Sequence, residues 1–304
     1  VASSAETSAD GHRSSGGWLD HFGTWLCLWL RINHKIAYTN QGDVDMSRSA
    51  HEFFRFVLCC LFALSCVGSV FAEDGEGLFA KLGMTASGAI DFYSKYIWRG
   101  FTLDRDPVVQ PSFNMSYKGL TFSFWSNWDA DNEDGVNSDE MDFIVDYTKS
   151  FDKFSVSVGH TYYDFPGTNG YSREFYVGVG TATIPFTQLP VSTSLKFYRD
   201  YGSTENGGGE GNYLELALAY STVVMKDPGI SLDLGVTTGY NHHLFINGDG
   251  GQATMSAGLA VPLTKSLSFK PKVSYTIPFA DLSASDDGAQ KSRFWGGFSL
   301  AYTF

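Results

Sequence analysis

From Glu73 onward the chain has no cysteine: all four, Cys27, Cys59, Cys60 and Cys66, come earlier. Disulfides, thiol nucleophiles and cysteine metal sites are therefore excluded from residues 73–304. Arginine is scarce there, with five residues, and histidine scarcer, with His160, His242 and His243 alone. No run after Ala72 has the ~20 apolar residues of a membrane helix, and apolar residues at helical spacing are also missing. Residues 73–304 hold 16 basic and 27 acidic side chains, a net charge of −11. A surface of that sign does not attract nucleic acid.

What is abundant is alternation. In the last ten residues, Phe298, Leu300, Tyr302 and Phe304 share a parity with Phe294, while Ser299, Ala301 and Thr303 take the other. That two-residue period describes a strand with one apolar and one small polar face. Ile230, Leu232, Leu234 and Val236 oppose Ser231, Asp233, Gly235 and Thr237 in the same way. Taken along the chain, the pattern predicts twelve strands, at about 84–101, 107–117, 120–130, 139–149, 153–165, 172–183, 190–201, 211–225, 230–242, 251–263, 267–278 and 291–304.

Alternation alone does not decide which face meets water. The connections help: short turns such as Lys118-Gly119, Ser150–Asp152, Lys226–Gly229 and Thr264–Ser266 alternate with longer polar loops. Short turns on one side, long loops on the other and an even strand count predict an all-β, antiparallel, up-and-down transmembrane barrel. A soluble sandwich is the alternative. Tyr96, Trp98, Trp125, Trp128, Tyr162, Tyr163, Tyr198, Tyr201, Tyr213, Tyr240 and Trp295 fall near strand ends, where interfacial girdles are expected.

Ahead of the strands, Met46 opens a segment with Arg48 and Arg55, an apolar run from Phe56 to Val70, and Val70-Phe71-Ala72 before Glu73. It reads as a secretory signal over 46–72, cleaved after Ala72, with 73–304 as the barrel. Residues 1–45 lie upstream of the only start that suits this signal and read as an upstream or disordered segment. Cys66 follows Ala63-Leu64-Ser65, which lacks the leucine usual three residues before a lipoprotein cysteine.

At the first strand the sequence runs from Tyr93 through Ser-Lys-Tyr-Ile-Trp to Arg99-Gly100, with Pro107 and Gln110 beyond. This resembles the opening of the TorF-type porin family, with its Tyr-x-x-Arg-Gly start and Pro-x-x-Gln element. Trp125 and Trp128 extend the resemblance, and more loosely it covers 84–304. A strand ending in phenylalanine likewise resembles the closing strand of bacterial outer-membrane barrels. That resemblance implies that Phe298, Leu300, Tyr302 and Phe304 carry an assembly signal, with the barrel-assembly machinery, outer-membrane lipid and lipopolysaccharide as partners. Neither resemblance supplies a catalytic residue.

The parity opposite the apolar face collects Asp91, Lys95, Arg99, Asp142, Asp146, Glu174, Lys196, Asp200, Glu215, Asp233, Lys270 and Lys272 as lumen-lining candidates. Twelve strands lie between barrels that side chains fill and those that leave a wide channel, so a narrow pore is expected. The function expected is passive diffusion of small hydrophilic solutes across the outer membrane. A plugged structural or adhesive barrel is the alternative. Asp104, Asp106, Glu205, Glu210, Asp249 and Asp281 are among the acidic residues of the longer loops, which hold Arg105 alone as a counterweight. They predict a modest cation preference.

A calcium loop is weakly suggested by Asp129, Asp131, Glu133, Asn137 and Glu140, but glycine stands at position seven instead of six. No cofactor is expected. His160 is followed by Thr161 and Tyr162, and His242 by His243 and Leu244, so no serine stands two residues from a histidine. That spacing disfavours an outer-membrane lipid hydrolase, and the protein is not expected to be an enzyme. Five arginines, of which Arg99 alone has lumenal parity, are too few for a basic track that would guide acidic sugars.

Overall fold

The computed structural model describes residues 78–130, 138–187, 189–288 and 290–304. After the short helix α1 (Leu78–Lys81) come β1 (Thr85–Tyr93), β2 (Tyr96–Trp98), β3 (Phe101–Asp104), β4 (Val108–Tyr117), β5 (Leu120–Asp129) and β6 (Glu140–Ser150). Next are β7 (Ser155–Phe165), β8 (Gly170–Thr181), β9 (Ser192–Asp200), β10 (Asn212–Met225) and β11 (Ile230–His242). The chain ends with β12 (Asp249–Pro262), β13 (Leu267–Ala280), α2 (Asp281–Gly288) and β14 (Arg293–Thr303).

Twelve of these strands, all but β2 and β3, pair antiparallel with their neighbours into a closed barrel, and β1 against β14 makes the seam. Closure removes the free edges that an open sheet would leave. At the seam Asp91 faces Ser299, Ile90 faces Leu300 and Phe92 faces Phe298, with the last two rings stacked 4.9 Å apart. Phe304 donates its backbone N–H to Ala86, and its ring meets Phe79, Phe113 and Tyr302.

The distribution of polarity is inverted relative to a water-soluble fold. Phe122, Phe143, Val145, Val158, Val177, Leu195, Leu216, Leu234, Val236 and Met255 are exposed on the outer face. Gln110, Asn127, Glu140, Asp142, Glu174, Asp200, Asn241 and Gln252 are buried. A continuous apolar exterior around a polar interior is solvated by hydrocarbon, as in a transmembrane barrel.

Both ends of the described barrel lie on the side of the tight turns: Lys118-Gly119, 151–154, 226–229 and 263–266. The connection 182–191 on this side is longer than the short turn expected there. The opposite rim carries the longer loops and α2, with the four-residue turn 166–169 as its shortest member.

The largest departure from the sequence reading concerns the first strand, expected to run to residue 101. Wall pairing of β1 stops at Tyr93, and residues 94–107 turn into a separate β2–β3 hairpin. Trp98 pairs with Phe101, so Arg99-Gly100 is a two-residue turn, with φ of 47° and 89°. Positive φ at both positions is what the twist of a tight hairpin requires. Glycine adopts it freely, whereas arginine does so at a cost that some other contact must offset.

Candidate functional site

That contact lies inside the barrel. The Arg99 guanidinium donates Nη1–H to Glu174 Oε2 at 2.6 Å and Nη2–H to Oε1 at 2.9 Å, a two-pronged ion pair. Tyr163 donates a third hydrogen bond to the same carboxylate at 3.1 Å. The guanidinium carbon sits 4.6, 4.2 and 4.5 Å from the ring centres of Trp98, Tyr198 and Tyr213. Three π-faces and one carboxylate thus replace the water that a buried cation loses. Removing an ion from water costs several kcal/mol, and this geometry supplies the compensation.

Further contacts fix the hairpin along its length. Tyr96 donates to Glu140 at 2.7 Å, and the Thr102 amide donates to the side-chain oxygen of Gln290 at 2.7 Å. Lys95 Nζ donates to the Arg105 carbonyl at 2.7 Å. At the rim, Trp98 and Phe101 pack against Phe245, beside the fully buried Leu244 and Leu282. A side chain on Gly100 would come within 2.7 Å of both Gln252 and Leu282, so glycine is required for fit as well as for backbone angle.

Gly239 plays a similar part on the wall. A Cβ there would lie 1.9 Å from Tyr213 Oη, because the Tyr213 ring crosses the space above it. Gly239→Ala should displace Tyr213 from Arg99 and cost about 1–3 kcal/mol by overpacking. Thermal unfolding in detergent micelles checks this.

The lumen-lining candidates fall into three groups. Glu174 bonds the hairpin and Asp142 lines the cavity beside it, while Lys95 and Arg99 belong to the hairpin and reach the interior by its inward fold, not by wall parity. Asp91, Asp146, Lys196, Glu215, Asp233, Lys270 and Lys272 project from the wall. There Asp146 accepts from Tyr176 and Thr148, Asp233 accepts from Ser221, and Glu215 pairs in register with Lys196. Lys196 lies over Tyr176, and Lys272 over Trp295. Asp200 instead anchors the loop 201–211: it accepts from Ser172 and from the amides of Gly202, Gly209 and Glu210.

Two other placements differ from expectation. Tyr96, Trp98, Trp125, Tyr163, Tyr198, Tyr213 and Trp295 face the interior and not a lipid-level girdle, whereas Trp128, Tyr201 and Tyr240 are exposed. Asp104 is buried and accepts from Ser138 and from the Asp106 amide, so it does not join a solvated acidic mouth. Of the calcium candidates, Glu140 is committed to Tyr96, and Asp131, Glu133 and Asn137 lie outside the described residues, as do the signal segment and residues 1–45.

Beside the hairpin a cavity of about 210 Å³ remains, lined by Tyr93, Lys95, Tyr96, Gln110, Trp125, Asp142 and Trp295 among others. At the tight-turn end a second, of about 440 Å³, is bordered by small wall residues including Ser155, Gly180, Ala217 and Ala219.

A closed membrane barrel whose first long connection folds inward and binds the far wall defines the class of this protein. Residues 79–270 match the family described as bacterial protein of unknown function (Gcw_chp), and the chain belongs to that family. No curated protein matches it. Among solved structures it is similar to the KdgM porin in complex with disordered oligogalacturonate, with 12% identity over 72% of this chain and 99% of that one, at a TM-score of 0.45. The NanC porin is 11% identical over 73% and 99%, also at 0.45. An outer membrane channel from Pseudomonas putida F1 is 9% identical over 72% and 95%, at 0.41.

Proposed function

We propose that this protein is a narrow outer-membrane channel for small hydrophilic solutes, with the β2–β3 hairpin as its constriction. The observation that carries this reading is the hairpin's position: it contacts Tyr163, Glu174 and Tyr213 toward the long-loop end of the barrel, beside a cavity whose lining includes both a cation, Lys95, and a carboxylate, Asp142. Mixed charge on a narrow path permits passage of polar solutes while excluding bulky ones. The TorF-type resemblance around Arg99-Gly100 bears on fold and location and names no solute.

Acidic oligosaccharides fit poorly as cargo. The arginine that could have begun a basic track is spent on Glu174, and Lys270 and Lys272 stand close to Asp91 across the seam. Cation preference rests on the rim carboxylates that remain exposed, such as Glu205, Glu210 and Asp281. At physiological salt, screening beyond about 8 Å weakens their field.

In planar bilayers, purified protein should give small unitary currents, with cation preference in the reversal potential that grows as salt is lowered. Absence of current from wild type and from a variant whose residues 95–106 are replaced by a short turn would identify a purely structural barrel. Anion preference at low salt would overturn the acidic-mouth account.

A further inference from the structure

The turn between β11 and β12 presents a group of side chains that the channel does not use. His242, His243 and Asp249 are exposed at the rim, and one ligating atom from each lies within 4.8 Å of the other two. His242 Nδ1 is 2.6 Å from Asp249 Oδ1, and the two imidazoles meet edge to face with centres 4.5 Å apart. We propose that these three residues form an outward-facing site for a first-row divalent metal ion of the zinc and copper class.

Two features of the backbone make this more than a chance meeting of surface side chains. His243 has φ of 59° and Phe245 of 58°, left-handed values that are unfavourable for residues with a side chain. Such outliers persist only where the surroundings over-determine them. Here the buried Asn241 does so: its carboxamide oxygen accepts from the Leu244 amide at 2.8 Å, and its nitrogen donates to the Leu244 carbonyl at 2.9 Å. The fully buried Leu244 side chain pins the turn from below. Consecutive histidines on an extended strand would point to opposite faces. The left-handed residue at 243 brings the second imidazole back beside the first.

Asp249 is held as well. It stands opposite His242 in the β11–β12 register, and its amide donates to Asp281 Oδ2 at 2.8 Å. Two imidazoles and one carboxylate suit zinc, with metal–ligand bonds of about 2.0–2.2 Å. Ligand atoms in such a tetrahedral shell are roughly 3.3–3.5 Å apart. Closing from 4.8 Å requires only small rotations of exposed side chains, with the ion replacing the proton shared by His242 and Asp249. Solvent exposure leaves the fourth position to water. Two nitrogen donors in three disfavour calcium and magnesium, which prefer all-oxygen shells.

The test is calorimetric titration of the full barrel, purified in detergent without a histidine tag, with Zn²⁺ at neutral pH. One equivalent should bind, and Mg²⁺ should give no binding heat. His243→Ala and Asp249→Asn should each weaken Zn²⁺ binding at least about tenfold, the lower end of what loss of even an outer-shell partner costs. His160→Ala should leave it unchanged, because that imidazole is bonded to Tyr201 on another part of the barrel. Cu²⁺ bound to wild type should show two imidazole nitrogens by electron paramagnetic resonance, a readout that needs no variant to fold. No Zn²⁺ binding by wild type, equal binding by a His242→Ala, His243→Ala double variant, or a copper spectrum without paired nitrogens would each overturn the proposal.

Discussion

Glu174→Ala is expected to destabilise the docked hairpin by about 3–5 kcal/mol, the cost of leaving a buried charge without its partner. Arg99 would then lie among three aromatic rings with no carboxylate bonded to it, and its left-handed backbone would lose the contact that offsets it. The hairpin should spend part of its time undocked, so single-channel current should rise and become noisy. The barrel wall itself, held by its ladders, should remain intact and heat-modifiable on gels. Removing both charges in an Arg99→Ala, Glu174→Ala double variant should cost less than the sum of the single changes, because no unpaired charge is left. Equal currents in wild type and Glu174→Ala would show that the ion pair does not hold the constriction.

Leu234→Arg is expected to cost about 2–4 kcal/mol if it lies near the bilayer midplane. Leu234 is exposed on the outer face, next to Val236 on the same parity, so an arginine there has only lipid to meet. Thr237→Arg, one residue beyond Val236 on the inward parity, should be milder, since the added guanidinium reaches an interior already lined with carboxylates such as Glu215. Urea titrations of the barrel folded into vesicles measure both. A greater loss from Thr237→Arg would contradict the assignment of inner and outer faces.

Much of the wall was legible because a strand's period is two and one face had to be apolar. Leu214, Leu216 and Leu234 announce their side of the sheet by chemistry alone. The hairpin was not, because the apolar parity of Ile90 and Phe92 is taken up again by Tyr96 and Trp98, and periodicity does not distinguish a wall strand from one that has left the wall. A usable signal was present: Arg99-Gly100, flanked by alternating apolar residues, has the form of a two-residue hairpin turn. The aromatics turn inward because parity, and not nearness to a strand end, sets the side of a strand on which a ring lies. Tyr163 shares its parity with Thr161, and Tyr213 with Glu215, which places both rings inside. Asp200 and Asp104 were beyond reach, since their partners are set by loop geometry that no local pattern encodes.

One geometric fact about the ion pair bears on mechanics. In the ring order, β8, which carries Glu174, lies five strands from β1 and four from β4, between which the hairpin emerges, so the ion pair spans the lumen along a chord. A ring of strands joined only edge to edge has a soft deformation, flattening toward an ellipse, that bends every inter-strand angle slightly and breaks none. A strut along a chord stiffens the ring along that line. Lateral pressure from the surrounding lipid would then be carried partly through Arg99 and Glu174, and in the proposed channel the aperture beside the hairpin would keep a nearly constant section.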